Sequence, residues 1–441
     1  MSEELLPLLM GGSLLVLIFS GYPIAFVLGG IAILFLDLSG TEPVFLQNVA
    51  SRMLGTSQDW LLLSVPVFIF MGIMMDKSCI ASNLLYSLDR VLGGMRGGLA
   101  ISVILFGTIM AASTGIIGAS VVMLGLIALP VMERERYNSC ISGGVVAASG
   151  TLGILIPPSI MLVMFSSLLQ IPVGDLFKGV LLPSFVLVGL YLVFVFVLGL
   201  LFPRLMPRRE GTEDKQPLSR AELVELLKNL LPPLALILAV LGSIFAGVAT
   251  PTEGASLGAL GATLLTIING RMNRTILKKT VLETGKMTGM CLFIALFAPA
   301  FSTVFREIGG TDMIKDALLA SSFGPYGVLL ILMSAIFILG FFMEWLEISY
   351  ILLPMFAGII TQLDFGLGFT SSQQLTWFAI MVAINLQTSF LTPPFGMSLF
   401  YVRGVAPKSI TMEHLYIGII PFVILQLMAL AFVIFFPHFI I

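Results

Sequence analysis

Apolar residues run along this chain in blocks long enough to cross a bilayer, divided by short polar joints. Blocks near 4–19, 22–38, 59–76, 138–169, 179–202, 231–248, 252–269, 287–303, 375–402 and 413–438 predict membrane-spanning helices. About 20 apolar residues, rising about 1.5 Å each, match a hydrocarbon core about 30 Å thick. Two further stretches, 100–133 and 325–361, are too long for one crossing, and each has a polar or glycine-rich middle: "ASTGIIGAS" (112–120) and "GFFMEWLEIS" (340–349). A re-entrant helical hairpin, entering and leaving by one face, fits both. Amphipathic pieces at 79–94 and 312–324 precede the hairpins and predict helices lying at the membrane surface.

The block 138–169 carries "TLGILIPPSIM" (151–161) at its centre. A proline inside a helix removes a backbone donor and clashes one turn back, at roughly 3 kcal/mol, so Pro157–Pro158 predicts a break. In hydrocarbon the freed backbone groups must face protein or a wet cavity. The same device returns later. "VVAASGTLGILIPPSIMLVMF" (145–165) aligns without gaps to "MVAINLQTSFLTPPFGMSLFY" (381–401), with Pro157 and Pro393 lying 236 residues apart. Upstream, "LIALPVM" (126–132) answers "YILLPMF" (350–356); downstream, "GVLLPSFVLV" (179–188) answers "IGIIPFVILQ" (417–426). Hairpin, Pro-Pro helix and proline-bearing final span therefore occur twice in one order. Unrelated kinked helices are the alternative, and matched positions in both halves argue against it. Paired interrupted spans point to the midplane site of a secondary transporter.

Of the 441 residues, 58% are hydrophobic and 10% charged, and the mean hydropathy is +1.08. These values predict an all-α polytopic membrane protein. A net charge of −2 offers no nucleic-acid footprint. Cys79, Cys140 and Cys291 are scattered and the histidines are His414 and His438, so neither a disulfide framework nor a Cys/His metal site is expected. No nucleophile, base or metal cluster suggests an enzyme. The N-terminal "MSEELLPLL" lacks a basic leader, so the first block is expected to be retained.

Positive charge orients the chain. "RLMPRREGTEDKQPLSR" (204–220), continuing to Lys228, and "RMNRTILKK" (271–279) are the basic clusters and should be cytoplasmic. Residues 1–203 then form a first half whose hairpin opens to the cytoplasm, 204–230 a basic cytoplasmic connector, and 231–441 a second half whose hairpin opens outward. The repeats are thus inverted, with both termini outside.

The hairpin tips and breaks offer mostly neutral oxygens. Ser113, Thr114 and Ser120, with Gly115 and Gly118, stand opposite Ser149, Gly150, Thr151 and Gly153; Gly340 and Glu344 stand opposite Asn385, Gln387, Thr388, Ser389 and Thr392. Hydroxyl and carbonyl oxygens converging on half-helix ends suit a hard cation, and half-helix N-termini suit an anion. Sodium bound with a carboxylate is the inferred combination. Asn385 and Gln387, with Pro157 and Pro393 at the breaks, are candidate solute contacts. Interhelical hydrogen bonding is the alternative role for the Ser and Thr positions. Glu344 at mid-membrane is a functional candidate, with snorkelling near the outer surface as its alternative; Glu347 is a weaker candidate. Glu253, after "ATPT" (249–252), suits a helix cap.

Taken together, "GYPIAFVLGG", "SVPVFIFMGIMMDKS", "SGTLGILIPPSIMLV", "GVATPTEGASLGALGA" and "TSFLTPPFGMSLF" resemble the large membrane subunit of tripartite ATP-independent periplasmic (TRAP) transporters, over nearly the whole chain. The resemblance implies sodium-driven uptake of a small organic acid (dicarboxylate, keto acid or sugar acid) across the cytoplasmic membrane of a bacterium or archaeon. It implies a periplasmic substrate-binding protein that delivers the solute and a small four-helix membrane subunit, expected to be a separate chain. It implies a fold similar to divalent anion–sodium symporters, in which a transport domain moves as an elevator. It places one sodium site at Ser113–Ser120 with Ser149–Pro157, and the other at Gly340–Glu344 with Thr388–Thr392. A stand-alone ion-coupled organic anion symporter and a channel are the competing readings. The expected outer loops, 39–58, 170–178, 304–324 and 362–374, each lack a basic cluster to gather a dilute carboxylate, which favours delivery by a second protein.

Single-cysteine labelling in intact cells tests the orientation: a cysteine at Lys215 should stay unlabelled by an impermeant reagent applied outside, and labelling there would reverse the topology.

Overall fold

A computed structural model describes residues 5–42, 44–78, 80–114, 117–207, 220–319 and 323–441, except for the side chains of 81, 82, 112–114 and 319. The described residues form helices without a strand among them. In chain order these are α1 (Leu5–Ile18), α2 (Ile24–Leu38), α3 (Phe45–Ser57), α4 (Ser64–Lys77), α5 (Ile80–Leu92), α6 (Gly98–Thr114), α7 (Ile117–Arg134), α8 (Ser139–Thr151), α9 (Ile160–Leu169) and α10 (Val173–Leu201). They continue with α11 (Arg220–Phe245), α12 (Pro251–Ile268), α13 (Arg274–Glu307), α14 (Gly310–Leu319), α15 (Gly324–Leu339), α16 (Trp345–Ile360), α17 (Ser371–Leu391), α18 (Met397–Val405) and α19 (Met412–Phe435). Among the described residues, 7 helices are long and apolar enough to cross a membrane. The chain is a multi-pass membrane protein.

Local chemistry sets the helix starts. The Asn138 side chain accepts from Cys140 N at 2.9 Å and opens α8. Thr250, Pro251 and Glu253 open α12: the Glu253 carboxylate accepts from Thr250 N at 2.8 Å, and Thr250 Oγ1 accepts from Glu253 N at 3.3 Å. Glu253 is a cap, as its position after "ATPT" predicted. The Pro157–Pro158 and Pro393–Pro394 sites interrupt their helices, between α8 and α9 and between α17 and α18, whereas Pro232–Pro233 lies within the continuous α11. Both long apolar stretches with polar middles are helix pairs, α6–α7 and α15–α16, whose members pack on each other.

Three segments differ from the sequence expectation. Residues 45–57, expected to be a loop, form α3. Their polarity hides them from a membrane-length window, but Phe45, Val49 and Met53 recur at every fourth position and pack against the apolar core. Residues 220–230, expected to belong to the connector, are the opening turns of α11. They are held to α5 by Arg90–Glu225 at 2.9 Å and Asn229–Ser87 at 2.7 Å, while Leu226 and Leu230 pack inward. The basic cluster 271–279 continues directly into the 34-residue α13.

The helices pack in two groups. In one, α4 lies along α12 and α13, with α2 and α3 on α13 and α11 on α12. In the other, α8 sits among α6, α7 and α19, while α17 packs on α15, α10 and α19. The groups meet where α5 and α4 touch α6 and where α13 touches α16. Every residue of α8 from Ser142 to Thr151, and of α17 from Thr376 to Leu391, is buried. The two interrupted helices are thus the centre of their group.

Glycine makes that centre possible. A methyl group built on Gly144 of α8 would lie 2.2 Å from the Gly418 carbonyl oxygen of α19, and one on Gly418 only 1.9 Å from the Cys140 carbonyl oxygen. Small residues let helix backbones approach where lipid gives no hydrophobic drive to association. Gly418→Ala should destabilise the purified protein by about 1–3 kcal/mol through overpacking, lowering its thermal midpoint. Gly404→Ala, where nothing lies within 4 Å, should not.

Candidate binding site at the two helix breaks

At the first break α8 ends at Thr151, a 3-10 turn spans Leu152–Ile154, and α9 begins at Ile160. The Pro157–Pro158 bond is cis, as is Pro393–Pro394 at the second break. Buried serines repair the interrupted backbone. Ser159 Oγ donates to the Ile154 carbonyl at 2.5 Å, and Ser398 Oγ donates to the Phe390 carbonyl at 2.8 Å. Sequence reasoning missed both. Their signal was a small hydroxyl residue one and four positions after a Pro-Pro pair.

Each hairpin is seated on a break by a glycine. A methyl on Gly107 of α6 would lie 2.7 Å from Ser149 Cβ, and one on Gly150 would lie 2.8 Å from Val121 Cα of α7. Gly153 faces Ala111 Cα at 3.6 Å and Ser120 Oγ at 3.7 Å, measured from such a methyl. In the second half, a methyl on Gly340 would fall 2.0 Å from Ser389 Oγ. Gly153 and Ser389 occupy the same place at the 236-residue offset, and each abuts the end of its hairpin's first helix.

The two breaks also meet. Gln387 Nε2 donates to Thr151 Oγ1 across 3.4 Å, joining α17 to α8 between residues that are themselves 236 apart. Of the predicted oxygens, Ser120, Ser149, Thr151, Asn385, Gln387, Thr388 and Ser389 are all buried. Thr392 and Pro393 are half-buried, while Pro157 is buried. The side chains of Ser113 and Thr114, and Gly115 entirely, lie outside the described residues.

Several hydroxyls donate to their own helix: Thr151 to Ala148, Thr388 to Ile384, Ser389 to Leu386 and Thr392 to Thr388, at 2.8–2.9 Å. A hydroxyl that gives its proton to the backbone keeps lone pairs for a cation. Asn385 Nδ2 instead donates to the Met333 carbonyl of α15 at 2.7 Å, fastening the hairpin to the broken helix. Among the described residues, Ser149 Oγ and Gln387 Oε1 are buried without a partner. Two orphaned oxygens on the α8–α17 pair are an expensive feature unless something binds them. Among the described residues no group of three or more His, Cys, Asp or Glu gathers, so the donors offered to a cation are hydroxyl, amide and carbonyl oxygens. Glu344 and Glu347 line a cavity of about 650 Å³ with Tyr22 of the α1–α2 turn, Met290 and Phe293 of α13, and Met397 at the start of α18 beside the second break.

Residues 12–439 match the family model of the tripartite ATP-independent periplasmic transporter, DctM component. The chain is 31% identical over 379 residues, 84% of each chain, to the C4-dicarboxylate TRAP transporter large permease protein DctM of Pseudomonas aeruginosa. It is 26% identical to the ectoine/5-hydroxyectoine TRAP transporter large permease protein UehC of Ruegeria pomeroyi, over 97% of this chain and 96% of that one. Its fold is similar to the crystal structure of the YdaH transporter of Alcanivorax borkumensis, with a TM-score of 0.65 over 98% of each chain at 15% identity. These relatives are permeases, and the chain is not an enzyme. With helices interrupted at matched Pro-Pro sites, a shared polar crossing and a match over nearly its full length, the chain belongs to the DctM family, the large membrane component of TRAP transporters.

Proposed function

We propose that this chain is the translocating subunit of a sodium-coupled importer of a small organic anion, of the dicarboxylate, keto acid or sugar acid class, in a bacterial or archaeal cytoplasmic membrane. The observation that carries the proposal is the Thr151–Gln387 crossing, with the unpartnered Ser149 and Gln387 oxygens beside it. Sodium is a hard cation that takes neutral oxygens, and its charge would draw a carboxylate to the same place. Ser120, Ser149, Gly150, Thr151 and Gly153 would serve one ion; Gly340, Glu344, Thr388, Ser389 and Thr392 would serve another.

The matched order of elements supports an inverted repeat, in which the second half binds its ion from the opposite side. The packing into two groups supports an elevator: the α6–α10 and α15–α19 group carries the site past α1–α4 and α11–α13. A periplasmic binding protein presents the solute, and a small four-helix membrane subunit braces the static group.

Uptake should stop when sodium is replaced by choline at fixed membrane potential. Ser149→Ala, Thr151→Ala, Thr388→Ala and Thr392→Ala should each raise the sodium concentration for half-maximal uptake roughly tenfold, about 1.5 kcal/mol for one oxygen contact to a charge. Wild-type behaviour of all four would place the ions elsewhere. In liposomes the chain alone should give no uptake until the small subunit and the loaded binding protein are added; robust sodium-driven uptake by the chain alone would establish a stand-alone symporter.

A further inference from the structure

The large cavity of this protein is not at the helix breaks. It measures about 1270 Å³ and lies between the two packing groups, walled by α3 and the end of α13 on one side and by the end of α9 and the middle of α16 on the other. Arg52 comes from α3 and Arg306 from α13. They are 254 positions apart in sequence, which is why no basic cluster is visible in any single loop. Both are exposed, and among the described residues neither is in an ion pair. Two acids share the wall. Asp59 is engaged: Oδ1 accepts from Leu61 N at 2.9 Å, and Oδ2 accepts the Ser167 hydroxyl. Glu307 is exposed and has no ion-pair partner among the described residues. One uncommitted carboxylate thus stands against two uncommitted guanidinium groups.

The opposite wall adds a second, independent feature. Tyr350 lines the cavity with 2% of its surface exposed, and among the described residues its hydroxyl finds only the Met164 sulfur at 3.4 Å. A thioether is a weak acceptor, so a buried phenol donor is available to an oxygen-rich ligand. Thr303, also buried, lines the same space. Arginine's planar fork suits carboxylates in two-point contact.

We propose that this cavity is a carboxylate-receiving vestibule, in which Arg52 and Arg306 hold the acid group of the solute while its body faces Tyr350 and the neighbouring hydroxyls. This rests on the transport reading above, and goes beyond it by placing anion recognition some way from the oxygen-lined breaks. Because Arg52 and Arg306 belong to one packing group and Tyr350 to the other, a relative shift of the groups would draw the arginine wall away from the Tyr350 wall and release the solute.

The charge of the cavity is measurable without transport. In a protein with Cys79, Cys140 and Cys291 replaced by serine, Ser302→Cys places a thiol in the wall. The ratio of its reaction rates with an anionic and a cationic methanethiosulfonate of similar size should fall at least fivefold in the Arg52→Gln/Arg306→Gln variant. An unchanged ratio would overturn the proposal. In the complete reconstituted system, with loaded binding protein at saturation, uptake should fall at least tenfold in the same variant and partly recover with Arg52→Lys/Arg306→Lys. Full uptake at saturation would mean that the arginines only dock the binding protein, and would overturn it too. If the wild type imports no acid, the transport reading fails, while the alkylation ratio still decides whether the cavity gathers anions.

Discussion

Two helices end inside this protein, where water is not at hand to take up their free backbone groups. That constraint organises the rest. In hydrocarbon every carbonyl and amide released by a break must be met by protein, by a ligand or by a wet cavity. Ser159 and Ser398 each reach back to a carbonyl left by the interruption, and Asn385 reaches across to the carbonyl of Met333. Such repairs work only at short range, so the hairpins must come close. Gly107, Gly150 and Gly340 provide the space, and a side chain at any of them would collide with the broken helix or its hairpin.

The same close packing decides where chemistry is possible. Most hydroxyls around the breaks are spent on their own helices. Ser149 and Gln387 are not, and they sit on the two helices that cross at Thr151. Burial of an unpaired oxygen is unfavourable by about 1–3 kcal/mol, and such atoms are retained where a ligand completes them. The helices of the other group are bound by apolar contact, by polar links such as Thr266 Oγ1 to the Met74 carbonyl at 3.3 Å, and by the half-exposed Lys77–Glu283 ion pair, which contributes little. There α13 also buries hydroxyl oxygens at Thr280, Thr284 and Thr288 without a partner among the described residues.

The contrast between the two groups also explains where the large cavity lies. A tight, glycine-seated core cannot hold 1270 Å³ of empty space, but a boundary between separately packed bodies can. Its walls come from α3, α9, α13 and α16, and its charges from residues far apart in the chain. The arginines proposed to hold the acid and the oxygens proposed to hold the cation thus lie on different surfaces.

Much of this architecture was legible in the amino-acid order alone, because its determinants are local. A run of apolar residues, or a Pro-Pro pair with its flanking residues, acts within a short stretch of chain. Most of the apolar helices, both hairpin pairs, the two breaks and the Glu253 cap therefore followed from sequence, although Pro232–Pro233 lies inside an unbroken α11. The helix at 45–57 and the early start of α11 did not. Their stability comes from an apolar stripe meeting partners on α13 and α5, and a stripe without a known partner reads as a loop. The pairing of Thr151 with Gln387, the orphaning of Ser149 and the convergence of Arg52 with Arg306 were decided only by tertiary structure. Each depends on a distance through space between segments that the chain order keeps far apart, and hydrogen bonds and charge pairs are fixed by distance.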